Sequence, residues 1–190
     1  ANQVAAEAQS HIGMVRRLAT SSEARSRRRE TLMAALAISG VTSAVNTAER
    51  WLDIAKKDAE ALSTERDEEE KAAMMRSLGL QPGDAIPNNL KADLRTLDEG
   101  QKRRATRSVR DGLDRILVDL LALFRDILTV QLQANSPLVN AEQAAAIADI
   151  ASNSTPAETL AKLDAIVKSR HRIAANVRDL MVLESLAVQL

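Results

Sequence analysis

The chain has 190 residues, of which 45% are hydrophobic and 27% are charged, so it is long enough to bury a core. Its 26 Lys and Arg residues balance its 26 Asp and Glu residues, which excludes a strong overall field for nucleic acid or anionic membrane. The absence of cysteine excludes disulfides and thiolate metal sites, and no apolar run reaches the roughly 18 residues of a membrane span. We therefore expect a cytoplasmic protein with no membrane partner.

The residue types favour helices over strands. Ala and Leu supply most of the apolar residues, and Trp51 and Phe124 are the only aromatic residues. Ala, Leu, Arg and Glu are good helix formers, whereas strands are enriched in β-branched and aromatic residues. The composition predicts an all-α fold.

Three short motifs predict where helices begin. The sequences TSSE (residues 20–23) and TPAE (residues 155–158) have the spacing of a capping box, and Pro156 suits the first helical position. The sequence NAEQ (residues 140–143) is a third candidate start.

Glycine and proline mark the breaks between helices. Gly40 is predicted to end a helix, and residues 79–89 and 135–140 are predicted to be loops. Before the first loop, apolar residues recur at alternating spacings of four and three: Val41, Val45, Ala48, Leu52, Ala55, Ala59 and Leu62. After it the rhythm returns at Val109, Leu113, Ile116, Leu120, Leu123, Ile127 and Val130, with a second stripe at Leu117, Leu121, Phe124 and Leu128. The pattern predicts a long antiparallel helical hairpin attached to a helical bundle.

Two charged runs lie in the predicted hairpin. Residues 65–71 are acidic and residues 101–110 are basic, and Arg103, Arg107 and Arg110 fall on one helix face, as a DNA phosphate contact would require. Folding the hairpin about residue 84 instead places the two runs side by side, so that the charges fix the register. The sequence favours this structural interpretation and leaves DNA contact open as a weak candidate. The arginine-rich residues 25–30 present the same two alternatives.

Motifs for catalysis and cofactor binding are missing from the sequence. The two histidines, His11 and His171, lack a second histidine four residues away on a helix, and there is no phosphate-binding loop and no G-x-S-x-G motif. Glu184 lies among apolar residues, where a carboxylate is more often paired or at an interface than catalytic. We expect no catalytic, cofactor-binding or metal-binding residue and no small-molecule substrate.

Residues 120–190 contain a long helix with FRDIL (residues 124–128), an N-x-E helix start (residues 140–142), a helix ending near Arg170 and the pattern N-V-x-x-L-x-x-L-E-x-L from Asn176. In these features the segment resembles the C-terminal collar domain of bacterial DNA polymerase III clamp-loader subunits. The sequence QKRRATRSVRDGLDRILVDL is similar to the delta-prime type of subunit in its actinobacterial form.

The resemblance implies two domains. Residues 1–38 would be the remnant of an AAA+ helical lid, in which residues 10–20 resemble the helix of the sensor-2 position and Arg16 occupies that position. Residues 39–190 would be the collar, including a hairpin arm at about residues 41–110. The family's AAA+ nucleotide-binding domain would precede this chain. Because delta-prime subunits typically do not hydrolyse ATP, Arg16 is not expected to sense nucleotide.

The end of the chain is apolar on most of its circumference. Eight of the last eleven residues are apolar, although chain ends are usually polar and frayed. In a collar, this last helix would pack on its own bundle and on an adjacent subunit, which requires two apolar faces. The candidate interface residues are Asn176, Val177, Leu180, Leu183, Glu184 and Leu186.

The resemblance implies an assembly module of the replicative clamp loader. Its partners would be other clamp-loader subunits, and DNA would be contacted only indirectly or weakly. We expect no activity in the chain itself, whereas the parent complex is a DNA-directed DNA polymerase. Two alternatives remain: a helical nucleic-acid-binding protein that uses the arginine-rich runs, and a homomeric coiled-coil structural protein built on the first apolar seam.

Overall fold

The computed structural model describes residues 22–77, 79 and 91–190, with the side chains described from residue 26 onward. These ranges contain six α-helices and no strand, which confirms the all-α prediction. The helices are α1 (Ser22–Leu36), α2 (Val41–Ser77), α3 (Lys91–Gln131), α4 (Ala144–Ser152), α5 (Pro156–Ala174) and α6 (Asp179–Ala187), and a 3-10 turn (Ala141–Gln143) precedes α4.

Helix α3 is the centre of the bundle. It packs against α1, α2, α4 and α5, and α6 lies between α2 and α5. The apolar rhythm predicted for α3 is confirmed, because Leu113, Leu117, Leu120, Leu123 and Ile127 are each 0% exposed. The two parallel apolar stripes give α3 a wide buried face, as a helix with several neighbours needs.

The seam predicted for α2 is partly wrong. Ala48, Ala55 and Ala59 are buried as expected, but Val41 is 68% exposed and the fully buried Trp51 was not in the predicted seam. The buried positions recur at about the 3.6-residue helical period, because α2 packs against α1, α3 and α6 and not against one coiled-coil partner. They are Ala44, Thr47, Ala48, Trp51, Ala55 and Ala59.

A glycine allows α2 and α3 to approach closely. A Cβ atom placed on Gly112 would lie 3.2 Å from the Cβ of Ala55 and 3.4 Å from its Cα. Both Gly100 and Gly112 lie inside the continuous helix α3, even though glycine weakens a helix by up to about 1 kcal/mol. At Gly112 the missing side chain permits the helix contact, whereas nothing lies within 4 Å of the same position on Gly100.

Helix α1 shares the core of the hairpin. Leu32 is 1% exposed, and the indole Nε1 of Trp51 donates to the carbonyl oxygen of Thr31 at 3.3 Å. Arg28 forms an ion pair with Asp119 of α3 at 2.8 Å. Burial raises the pKa of Asp119, and the charge of Arg28 opposes that rise. The described part of residues 1–38 therefore packs with the rest of the bundle, and the boundary at residue 38 stays a prediction.

The predicted helix starts have different outcomes. The capping box at Thr155 is confirmed, since its side chain accepts from the amide of Glu158 and the Glu158 carboxylate accepts from the amide of Thr155. Asn140 precedes the 3-10 turn without a side-chain cap. Residues 20 and 21 of the first capping box lie outside the described residues.

The predicted loops also have different outcomes. Residues 135–140 are a loop as predicted, and the predicted loop at residues 79–89 is described only at Gly79. Gly40 lies at the start of α2 and not at the end of α1, because the amides of Ser39 and Gly40 both donate to the Ser43 hydroxyl.

The outer half of the hairpin, which we call the arm (residues 60–77 and 91–111), is held by polar contacts. Within these residues no apolar side chain is fully buried, and the only buried side chain is that of Gln101, which donates to the carbonyl oxygen of Asp67 at 3.0 Å. Arg104 pairs with Asp67 at 3.0 Å and also with Glu70. Its guanidinium and that of Arg66 outweigh the effect of burial and lower the pKa of Glu70.

The charges therefore fix the register, but through different residues from those expected. Lys71 pairs with Asp98 at 2.9 Å, which confirms an antiparallel arrangement close to the predicted one. Folding about residue 84 would place Glu65 near Arg103 and Glu68 near Gly100, but Glu65, Glu68 and Arg103 are exposed and do not take part in these pairs.

The two glycines of α3 make a matched pair for a stability test. We expect Gly100→Ala to stabilise the protein by about 0.5 to 1 kcal/mol, because alanine is the better helix former and has free space. We expect Gly112→Val to destabilise it by about 1 to 3 kcal/mol, because the added methyl groups overpack against Ala55. Urea denaturation of both variants, with Gly100→Val as the control for valine in a helix, measures the difference. Equal effects of valine at the two positions would contradict the close approach.

Candidate subunit interface

A tight turn at Asn176 positions the last helix. Asn176 has a φ of +63°, the left-handed conformation that asparagine tolerates better than most residues. Its amide donates to Ile173 at 3.0 Å and the amide of Val177 donates to Arg172 at 3.0 Å, the two hydrogen bonds of a Schellman motif. The turn ends α5 and lets α6 run back along the bundle.

Arg110 fastens this turn to α3. One guanidinium nitrogen donates to the side-chain oxygen of Asn176, and Nε lies 3.6 Å from a carboxylate oxygen of Asp179 at the start of α6. One turn along α3, Asp114 accepts two hydrogen bonds from Arg170, at 2.7 and 3.0 Å. A paired guanidinium and carboxylate of this kind fixes orientation as well as distance. The end of α5 and the start of α6 are thereby held against α3.

Helix α6 has a buried face and an exposed face, and the predicted interface residues divide between them. Leu183 and Leu186 are 0% exposed and belong to the core, so they offer no surface to another subunit in this structure. On the opposite side, Met181 is 58% exposed and Val188 is 57% exposed. Val188 directly follows the last residue of α6 with a helical backbone conformation and lies seven residues after Met181, so the two side chains share one face.

The remaining predicted residues border the exposed face. Val177 is 41% exposed and Leu180 is half-buried. Glu184 is half-buried and forms no ion pair with the described residues. Met181 belongs to the apolar faces predicted for the last helix, although it was not one of the six candidate interface residues. We call Val177, Met181 and Val188 the α6 outer face.

Sequence reasoning missed a buried carboxylate that holds the loop before α4. Asp126 is 0% exposed and accepts hydrogen bonds from the amides of Val139 at 3.1 Å and Asn140 at 2.7 Å, and from the Asn140 side chain at 2.9 Å. Burial alone would raise the pKa of Asp126, but these donors, together with Arg125, outweigh burial and lower it. The available signal was an acidic residue inside the apolar run of α3.

The Asp126 contacts connect to α1. Asn140 also accepts a hydrogen bond from Arg28 at 3.2 Å, and Arg28 pairs with Asp119. Arg125 donates to the hydroxyl of Ser136 at 2.6 Å. Of the arginines in residues 25–30, Arg27 and Arg28 therefore pair with carboxylates of the bundle, which supports their structural interpretation.

The three arginines proposed for DNA contact have different surroundings. Arg110 is engaged with Asn176 and Asp179, whereas Arg103 and Arg107 are exposed. Arg16 and His11 lie outside the described residues. The structure places His171 on the exposed side of α5.

Residues 22–77, 79 and 91–190 contain no cluster of three or more His, Asp or Glu side chains arranged to hold a metal ion. In the same ranges, no helix combines the length and hydropathy needed to cross a lipid bilayer.

The geometry described above falls largely within one segment that is similar to a known family. Residues 109–189 match the family model described as DNA polymerase III, delta subunit, C terminal. The matched segment begins at the second half of α3 and includes α4, α5 and α6. The match covers less than half of the chain and shows that this segment is similar to the C-terminal part of DNA polymerase III delta subunits. A search of curated proteins and a search of solved structures found no significant match.

Two motifs that carried the sequence resemblance lie in the matched segment, and the structure shows what their polar residues do. The aspartate of FRDIL is the buried Asp126, and the asparagine of N-V-x-x-L is the left-handed Asn176. Both residues fix the connections between helices, so their first role in this domain is structural.

Removing the carboxylate of Asp126 tests the buried network. We expect Asp126→Asn to destabilise the protein by about 2 to 3 kcal/mol at pH 7, because the new side chain has one acceptor oxygen and its NH2 group must face either the Val139 amide or the Asn140 amide, which loses its acceptor. Asp164→Asn, at an exposed position of α5, is the control and should be nearly neutral.

The same network predicts a pH dependence. Because the folded-state pKa of Asp126 is lowered, the native state binds fewer protons than the unfolded chain, whose aspartates titrate at about pH 3.9. The stabilisation is therefore present above about pH 4 and is lost as the pH falls through the lower folded-state pKa. Denaturation midpoints from pH 7 to pH 3 should show the gap between wild type and Asp126→Asn narrowing at the acidic end. A constant gap would contradict a lowered pKa.

The Asn176 turn can be tested by comparing two small residues. Both Asn176→Gly and Asn176→Ala lose the contact with Arg110, but only alanine is strained in the left-handed conformation. We expect the glycine variant to be more stable than the alanine variant by about 1 kcal/mol in chemical denaturation. If alanine were the better residue, the turn would not have this backbone conformation.

Proposed function

We propose that this chain is a subunit-assembly (collar) module of a DNA polymerase III clamp loader and that the α6 outer face binds a neighbouring subunit. The observation that supports this most directly is the position of exposed Met181 and Val188 on a helix whose opposite face is fully buried. This helix lies inside the segment, residues 109–189, that matches the delta-type family model.

Leaving the apolar side chains of this face in water is unfavourable. Burying a side chain the size of methionine or valine contributes about 1.5 to 3 kcal/mol. The exposed residues lie beside polar ones such as Ser185 and Gln189, the pattern of an apolar interface core with a polar rim. The Asn176 turn and its contact with Arg110 hold α6 in place, so little ordering is needed on binding.

The proposal includes a finer assignment and a location. The assignment to the delta-prime type, in its actinobacterial form, rests on the resemblance of residues 101–120. With other clamp-loader subunits as partners, the protein would act in the cytoplasm. The proposal gives these residues no catalytic step, cofactor or small-molecule substrate, and the polymerase activity belongs to the parent complex.

One of the alternatives fits the structure less well. A homomeric coiled coil would need the α2 seam to be free, but Ala48, Ala55 and Ala59 are buried inside the chain. The alternative of nucleic-acid binding would depend on exposed arginines, such as Arg103 and Arg107 of the arm.

The α6 outer face can be tested with charge substitutions. We expect Met181→Glu and Val188→Glu each to weaken association with the neighbouring clamp-loader subunit by about 10- to 100-fold, which corresponds to about 1.4 to 2.7 kcal/mol. Co-purification and analytical ultracentrifugation with the remaining subunits of the same clamp loader measure the loss. Val41→Glu is the matched control, because Val41 is 68% exposed and lies outside the matched segment.

Thermal denaturation of the same variants separates binding from folding. Since both residues are more than half exposed, their glutamate variants should unfold close to the wild-type temperature. Unchanged assembly of both variants, with normal folding, would reject this face as the interface.

A further inference from the structure

In the arm, three exposed acids lie close together on α2 and three exposed bases lie close together on α3. The residues that face across the hairpin are Asp67 and Lys71 on α2 and Asp98, Gln101 and Arg104 on α3, as their cross-helix contacts show. The exposed acids Glu65, Glu68 and Glu69 lie on the rest of the circumference of α2.

Three exposed bases lie close together on α3 in the arm. Arg103 and Arg107 lie four residues or about 6 Å apart on one helix face, and Lys102 directly precedes Arg103. We call these three residues the basic ridge. We propose that the basic ridge binds the phosphate backbone of double-stranded DNA.

The arginines of the basic ridge are available for a ligand. Arg104, Arg110 and Arg170 each pair with carboxylates, whereas in the part of the chain that the structure describes neither Arg103 nor Arg107 forms an ion pair. The acids nearest along α3 are Glu99 and Asp111, one turn before and one turn after, and the described structure pairs neither with the ridge. Of the acids on α2, Asp67 and Glu70 pair with Arg104, and within the described residues none pairs with the ridge.

The surroundings of the ridge favour DNA over a protein partner. Protein interfaces are depleted of charged residues at their centre, whereas DNA-binding surfaces are polar and positively charged. The ridge has the exposed Thr106 between its arginines and no exposed large apolar residue on the arm beside it.

Duplex DNA fits better than a single strand. Proteins that hold single strands stack bases on aromatic side chains, but the only aromatic residues are Trp51 and Phe124, and both are buried in the bundle. A duplex offers its phosphates without stacking, and release of counterions drives the binding.

A second copy of the chain is the competing occupant, because the acidic face of α2 is complementary to the ridge. Exposed ion pairs contribute only about 0 to 1 kcal/mol each, so an arm-to-arm contact of this kind would be weak. The structure therefore favours DNA, and the experiment includes self-association as an outcome.

The test is binding of the whole chain to a fluorescent duplex of about 20 base pairs, measured by anisotropy at several salt concentrations. With about three phosphate contacts, affinity should fall about 40-fold between about 50 and 200 mM salt. In the double variant Arg103→Ala/Arg107→Ala the fall should be only a few-fold, as expected when two contacts are lost. The matched control is Arg29→Ala/Arg115→Ala, which removes two exposed arginines elsewhere and should behave like the wild type.

Three results would overturn the proposal. The first is a wild-type chain that shows no salt-dependent binding to the duplex. The second is an equal loss of DNA affinity in the ridge variant and the control variant. The third is a ridge variant that no longer self-associates in sedimentation but still binds the duplex as the wild type does. Met181→Glu should bind the duplex as well as the wild type, so failure of this proposal is distinguishable from failure of the proposed interface. Replacing Glu65, Glu68 and Glu69 with glutamine should leave binding equal or slightly stronger.

Discussion

The close contact between Ala55 and Gly112 sets the geometry on which the rest of the bundle depends. Because no side chain separates the helices there, the large Trp51 of α2 is brought into the core that α3 shares with α1. Helix α3 is then free to bury its two apolar stripes against α4 and α5. The same contact marks where apolar packing ends, since beyond it the arm is held by polar contacts around Arg104.

Charged residues do two kinds of work in this protein. Inside the bundle they connect elements: Arg28 joins α1 to α3, Arg110 joins α3 to the turn before α6, and Asp126 holds the loop before α4. On the arm, only some of the charges face across the hairpin, and others, such as Glu65 and Glu69 on α2 and Arg103 and Arg107 on α3, are exposed. A chain with no net charge can therefore still present a locally basic surface.

The sequence by itself determined which segments form helices and which residues of α3 are buried. A period of 3.6 residues is visible where large apolar residues are interspersed with charged ones, as from Leu113 to Ile127. The helix start at TPAE could also be predicted, because the capping box of Thr155 involves only neighbouring residues. The antiparallel hairpin also followed, because complementary charged runs flank one loop. The apolar last helix indicated an interface, because chain ends are usually polar and an apolar one needs a partner to bury it.

Only the tertiary structure decided which face of each helix is buried by which neighbour. Leu183 and Met181 are equally apolar in the sequence, yet one is in the core and the other is on the surface, because α2 and α5 cover a single side of α6. Arg103 and Arg104 are adjacent and chemically identical, but only Arg104 reaches Asp67. Partners as distant in sequence as Asp126 and Asn140, or Arg110 and Asn176, meet only after folding, and this is the physical reason that pattern alone does not find them.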